Sequence, residues 1–216
     1  MRRALLIAVV VVLAAGCATM PAGTYSPAKS PNRTVVAQSF YRALQAAGDD
    51  PAHYSFFLFN SREVSVSRSG RGDVFYFSDG FAALPPRAMD ALMAREVAHE
   101  VLGHSVRRNI VQYSITGAFM ALGAVVPGLG VIDFIVNPIV VRAFTRQQEI
   151  DADVKAVEVL RAMGYEAPRR VLVEGLRAAP GTRRDSGGLY ATTPSFEDHL
   201  AAIGPLEPSS EVVKIK

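Results

Sequence analysis

The chain has 216 residues, 50% of them hydrophobic and 20% charged, with a formal net charge of +3. That is enough apolar material for one good core and suggests a single domain. Two of the 23 basic residues, Arg2 and Arg3, open the chain, and the other 21 nearly balance 20 acidic residues. A nucleic-acid partner is therefore not supported.

Met1-Arg-Arg is a charged start, and Ala4 to Ala15 is an apolar run too short to span a bilayer comfortably, so residues 1–16 read as a signal peptide. The run ends Leu13-Ala-Ala-Gly-Cys17. Small residues before a cysteine resemble a bacterial lipobox, which would make Cys17 the lipidated first residue of the mature protein. The competing reading is an uncleaved membrane anchor with a chance cysteine. Cys17 is the only cysteine, so no intrachain disulfide can form despite an exported location. Ala18 in the next position resembles an outer-membrane address facing the periplasm. Residues 17–34, rich in Pro, Ser, Thr and Gly, read as the lipidated cysteine and a flexible tether.

Thr34 to Ala47 predicts a helix, with Val35, Val36, Phe40 and Leu44 at helical spacing. Three strand candidates follow: His53 to Asn60, Glu63 to Ser67 and Asp73 to Ser78. Val64 and Val66, then Val74 and Tyr76, alternate as in half-buried strands.

The stretch Met93 to Arg108 is the centre of the chain. Leu92, Val97, Val101, Leu102 and Val106 recur at helical spacing, and Glu96, His99, Glu100 and His104 lie among them. Apolar flanks around Glu and His are the setting of a zinc helix, which uses H-E-x-x-H, two His at i and i+4 on one face with a Glu beside the first. That string is absent. Starting at His99, Gly103 stands where the second His belongs, and His104 is five residues on, about 140° around an ideal helix. Starting at Arg95, Glu96 and His99 fall into place, but an arginine stands at the first ligand position.

Tyr113 to Phe144 is the most apolar part of the mature chain. Ile115 to Val126 and Val131 to Val141, separated by Pro127-Gly-Leu-Gly130, read as a helical hairpin too short in each arm to cross a membrane. Core or lid packing and a loop that dips into a membrane or meets a partner both stay open. A helix is predicted over Arg146–Met163, another over Pro168–Ala178 with Val171, Leu172 and Leu176 inward, and a last short one over Pro194–Ile203 with Ser195 near its cap. Residues 206–216 read as a tail.

The order Glu149-Ile-Asp-Ala-Asp153, a helix, then Gly164-Tyr165-x-x-Pro168 resembles the HtpX- and BepA-type zinc metallopeptidases, family M forty-eight, over roughly residues 55–205. This resemblance implies an α+β fold, a mainly helical zincin-like metallopeptidase domain over 35–205 with a small sheet beside the active-site helix. It selects the Arg95 register. It implies Glu96 as general base, His99 and Glu149 as metal ligands, Asp153 behind them and zinc as cofactor. Arg95 stands at the lost ligand position. Thr193 and His199 stand where the family commonly has a His and an Arg.

Guanidinium has no lone pair to offer a metal. Two readings follow for Arg95: a metal-free site in which it pairs with Glu149 and also Glu96, or a side chain turned to solvent. His104 is a partly exposed helix histidine or, with a local helix distortion, a replacement ligand. His53 and His199 are expected at the surface, and Glu100 as a solvated helix residue. The whole reads as an envelope lipoprotein, a pseudo-peptidase or impaired peptidase that still binds polypeptide. The alternatives are an active zinc endopeptidase in protein quality control with a rebuilt metal site, and a structural membrane-facing protein using the 113–144 segment. Its partners would be a polypeptide substrate or client, and the membrane through the Cys17 lipid.

Overall fold

The computed structural model describes residues 20–69, 72–103, 129–179 and 194–208. Cys17, His104, Thr193, the first arm of the expected hairpin and the end of the tail lie outside them. The described residues form an α+β fold of six helices and a small mixed sheet.

The sheet comprises β1 (Thr24–Tyr25), β2 (Ser55–Phe59), β3 (Val66–Arg68) and β4 (Val74–Ser78), in the order β1-β2-β4-β3. The central pair, β2 and β4, is parallel, and both edge strands run antiparallel to their neighbours. β1 falls within the stretch expected to be a tether. Its backbone pairs with Leu58 and Phe59, and the Tyr25 hydroxyl donates to Asp79, so the sheet takes in residues whose Pro and Ser content hides a strand.

One face of the sheet carries Leu58, Phe75 and Phe77, all fully buried. They pack against α1 (Arg33–Ala46), whose Phe40 ring lies 4.9 Å from Phe75 and 5.7 Å from Phe77. Alternation along the strands sends these rings to one side, as half-buried strands require. After β4, Ser78 caps the short α2 (Asp79–Ala82) by accepting from the Phe81 N–H at 3.0 Å.

α3 runs Pro86–Val101 and is buried along most of its length. It begins earlier and ends earlier than the predicted Met93–Arg108 helix. Pro86 suits the first helical turn, where an N–H would be orphaned. Gly103, at φ +66°, ends it with a left-handed residue whose N–H bonds the Glu100 carbonyl at 2.7 Å.

α4 runs Leu129–Ala162, 34 residues without a break. The second arm of the expected hairpin is thus continuous with the Arg146–Met163 helix, and Pro138 falls inside it. Pro138 does not end the helix; a proline removes one N–H donor, and a long helix can continue past it. α5 (Pro168–Ala178) packs on α3 so closely that a Cβ on Gly175 would lie 2.5 Å from that of Ala91. α6 (Phe196–Ile203) closes the fold, with Ser195 and Asp198 forming a capping box. Arg146 on α4 donates to Asp198 at 2.5 Å and fixes α6 against α4.

One buried carboxylate ties three elements together. Asp90 on α3 accepts from Ser39 at 2.5 Å, Arg42 at 3.2 Å and the Tyr165 hydroxyl at 2.6 Å. Tyr165 belongs to the Gly-Tyr turn between α4 and α5, so the turn is anchored to the site helix. Burial, with Asp90 as acceptor and neighbouring charge, pushes the Tyr165 phenol up to about 12 from 10.0. A pKa raised on folding contributes stability that is present below the unfolded value and lost as pH rises through the folded one. The protein should therefore lose stability between pH 10 and about 12. Tyr165→Phe should be less stable by about 1 kcal/mol at neutral pH and lose less than the unaltered protein over that alkaline interval. Urea midpoints across that range measure the difference.

Candidate functional site

Two helices each contribute a pair of side chains one turn apart. Arg95 and His99 are i and i+4 on α3, and Glu149 and Asp153 are i and i+4 on α4. Such spacing puts both members on one face, and the two faces meet. Arg95 Nε donates to Asp153 Oδ1 at 2.6 Å, and its Nη2 donates to Glu149 Oε2. His99 Nε2 lies 3.6 Å from the same Glu149 oxygen. One guanidinium thus bridges the two carboxylates of the E-x-x-A-D segment.

Asp153 is completely buried, and its second oxygen meets His199 Nδ1 on α6. His199 was expected at the surface; it is 1% exposed and belongs to the site. The signal for it lies in α6 itself. Phe196, His199, Leu200 and Ile203 follow i, i+3, i+4, i+7, the inward stripe of an amphipathic helix. His53 does lie at the surface, 3.9 Å from Asp50.

Glu96 faces a different cation. Arg68, on the edge strand β3, places Nε 3.7 Å from Glu96 Oε2 and donates through Nη1 to the Glu96 backbone carbonyl at 3.3 Å. The expected pairing of Arg95 with Glu96 is replaced by pairing with Asp153. Arg95 reaches across to α4, whereas Glu96, one residue along the helix, is turned by about 100° toward the sheet. Glu100 is half-buried rather than solvated, with its carboxylate against Gly72. Gly72 has φ +81°, a left-handed conformation that favours glycine, and the Glu100 carboxylate lies over it.

Burial works to lower the Arg95 pKa, but Glu149, Asp153 and Glu96 outweigh it and hold the guanidinium above its ordinary value. Burial would raise the Glu149 carboxyl; Arg95 first, then His99, hold it well below the usual carboxylate range. Both groups are charged at neutral pH, each sustained by the other.

Residues 66–205 match the family model described as Peptidase family M48. The chain belongs to this peptidase family. No curated protein matches it. Members of the family are typically zinc metallopeptidases, and the described residues at this site do not fit the metal. A catalytic zinc site takes three protein ligands with lone pairs. Here the guanidinium, which has none, takes up oxygens of both Glu149 and Asp153. Among the described residues no group of three or more His, Cys, Asp or Glu side chains is placed to hold a metal ion.

Removing one partner of a buried ion pair leaves an uncompensated charge, at a cost of about 3–5 kcal/mol. Arg95→Ala should therefore lower the melting temperature, by on the order of 10 °C for a chain of this size. An unchanged melting temperature would show that Arg95 does not hold the two carboxylates in solution.

Proposed function

We propose that this metallopeptidase-family protein is a pseudo-peptidase, a lipoprotein of the bacterial envelope that binds polypeptide without cleaving it. The observation that carries the reading is the Arg95 guanidinium bonded to Glu149 and Asp153. Aligned on the family's motif, Arg95 stands at the first ligand position and Glu149 at the third. An internal cation supplies one of the two positive charges that zinc would bring, and none of its Lewis acidity. Glu96, at the position of the general base, faces Arg68.

The framework around these residues suits an extended chain. Among the described residues β3 is an edge strand. The Ser65 carbonyl and the Ser69 N–H both bond β4, so alternation turns the N–H and C=O of Val66 and Arg68 toward the free edge. A polypeptide added there would be held by backbone hydrogen bonds, with little demand on its sequence. Among the described residues no helix is long and apolar enough to cross a membrane; the proposed attachment is the lipid on Cys17, toward the periplasmic face of the outer membrane.

A fluorescently labelled, permanently unfolded polypeptide, titrated with the purified protein and then analysed by mass spectrometry, tests both halves. Saturable binding with the polypeptide intact, with or without added zinc, is the expected result. Val66→Pro, which removes an edge donor, should weaken binding about five- to tenfold, the worth of one hydrogen bond, relative to Val66→Ala, which loses the same core packing but keeps the donor. Chelator-sensitive cleavage would overturn the reading and favour an active zinc endopeptidase.

A further inference from the structure

The outer side of α1 carries a shallow groove that the site above does not use. Pro27, Ala37, Tyr41 and Phe56 supply its apolar lining, and Arg33 and Arg42 stand among them. Its volume is about 520 Å³, and no acidic side chain lines it. Arg33 donates to the Ala28 carbonyl at 3.1 Å, and Arg42, about half exposed, to Asp90 and the Met163 carbonyl at 3.2 Å each. Val35 and Tyr41 on the same helix, and Met20 before it, are large apolar residues left exposed.

The sequence around the groove is as one-sided as the groove. No Asp or Glu occurs before Asp49, while Lys29, Arg33 and Arg42 are basic. The first 48 residues of a chain with nearly balanced charges thus hold no acid, and with Arg42 paired to Asp90 the exposed positive charge there falls to Lys29 and Arg33. Cations alone would suit any polyanion. Cations interleaved with a tyrosine, a phenylalanine and exposed aliphatic side chains suit the headgroup level of a bilayer, where an aromatic ring finds both apolar and polar surroundings.

We propose that this face of α1 docks on an anionic phospholipid bilayer, with Lys29 and Arg33 against lipid phosphates and Tyr41 among the headgroups. The docking goes beyond the polypeptide-binding reading and rests on the proposed membrane attachment only for nearness: Met20 is three residues from Cys17. It would fix the orientation of the domain, which a lipid on a single residue cannot do.

The test uses the full chain with Cys17→Ala and Gln38→Cys, so that the only thiol lies in the groove and carries an environment-sensitive fluorophore. The chain is mixed with phosphatidylcholine vesicles, with and without phosphatidylglycerol, that contain a brominated lipid quencher. Without Cys17 this chain carries no lipid, so flotation reports membrane binding by the polypeptide itself, and quenching reports docking of the groove. The expected result is quenching in the phosphatidylglycerol vesicles and little without that lipid. The ratio of docked to free probe should fall about fivefold for each basic residue neutralised, read in Lys29→Gln and Arg33→Gln. Flotation with both vesicles but equal quenching, or quenching indifferent to these substitutions, overturns the docking and assigns the binding to the apolar N-terminal segment. Flotation and quenching with phosphatidylglycerol only would support docking and count against attachment by the N-terminal segment. No flotation with either overturns the docking as well. A spectral shift that follows protein concentration without lipid would mean that the groove receives a second copy of the chain, and would overturn the proposal as well.

Discussion

The site depends on how a fold neutralises two carboxylates placed side by side on one helix and turned inward. Glu149 and Asp153 share a face of α4, and Asp153 is wholly out of water. Charges so placed are tolerated only when paired and hydrogen-bonded. In this chain the pairing comes from one planar guanidinium that reaches both. A lysine ammonium at position 95 would offer a point charge, whereas the guanidinium fork offers two donors at a fixed separation. The strength of the arrangement is its completeness: Arg95 serves one oxygen of Asp153 and His199 the other.

The rest of the fold holds the two helices at the distance this bridge requires. Gly175 lets α5 press against α3, and Asp90 ties α1, α3 and the Gly-Tyr turn into one hydrogen-bonded unit. Arg146 and the Ser195 cap set α6 so that His199 points inward. A peptidase framework thus remains closed around a site whose central cation is part of the chain. On the other side of α3, Glu96 is matched by Arg68 from the sheet. Glu96 and Glu149 therefore both have arginine partners.

Much of this was legible in the sequence. The i, i+4 spacing within each motif fixed which residues share a face, and the charges of Arg95 and Glu149 pointed to their pairing. The helix over Pro168–Ala178 followed from Pro and apolar period alone. What stayed hidden depended on contacts across the fold. Asp153 as the second partner of Arg95 follows from how α3 and α4 dock, and Arg68 reaches Glu96 only because β3 forms the sheet edge beside α3. A lone histidine in a short helix reads as a surface residue until the apolar stripe around it, Phe196, Leu200 and Ile203, is counted with it. β1 was missed because a two-residue strand made by pairing leaves no periodicity.

The central claim is that Arg95 occupies the place of a metal. Zinc content and affinity of the purified protein, measured beside those of Arg95→His and Glu149→Ala, test it most directly. The account predicts no stoichiometric zinc in the unaltered protein and tight binding in Arg95→His, where the new imidazole, His99 and Glu149 complete three ligands. Stoichiometric zinc in the unaltered protein, lost in Glu149→Ala, would contradict it.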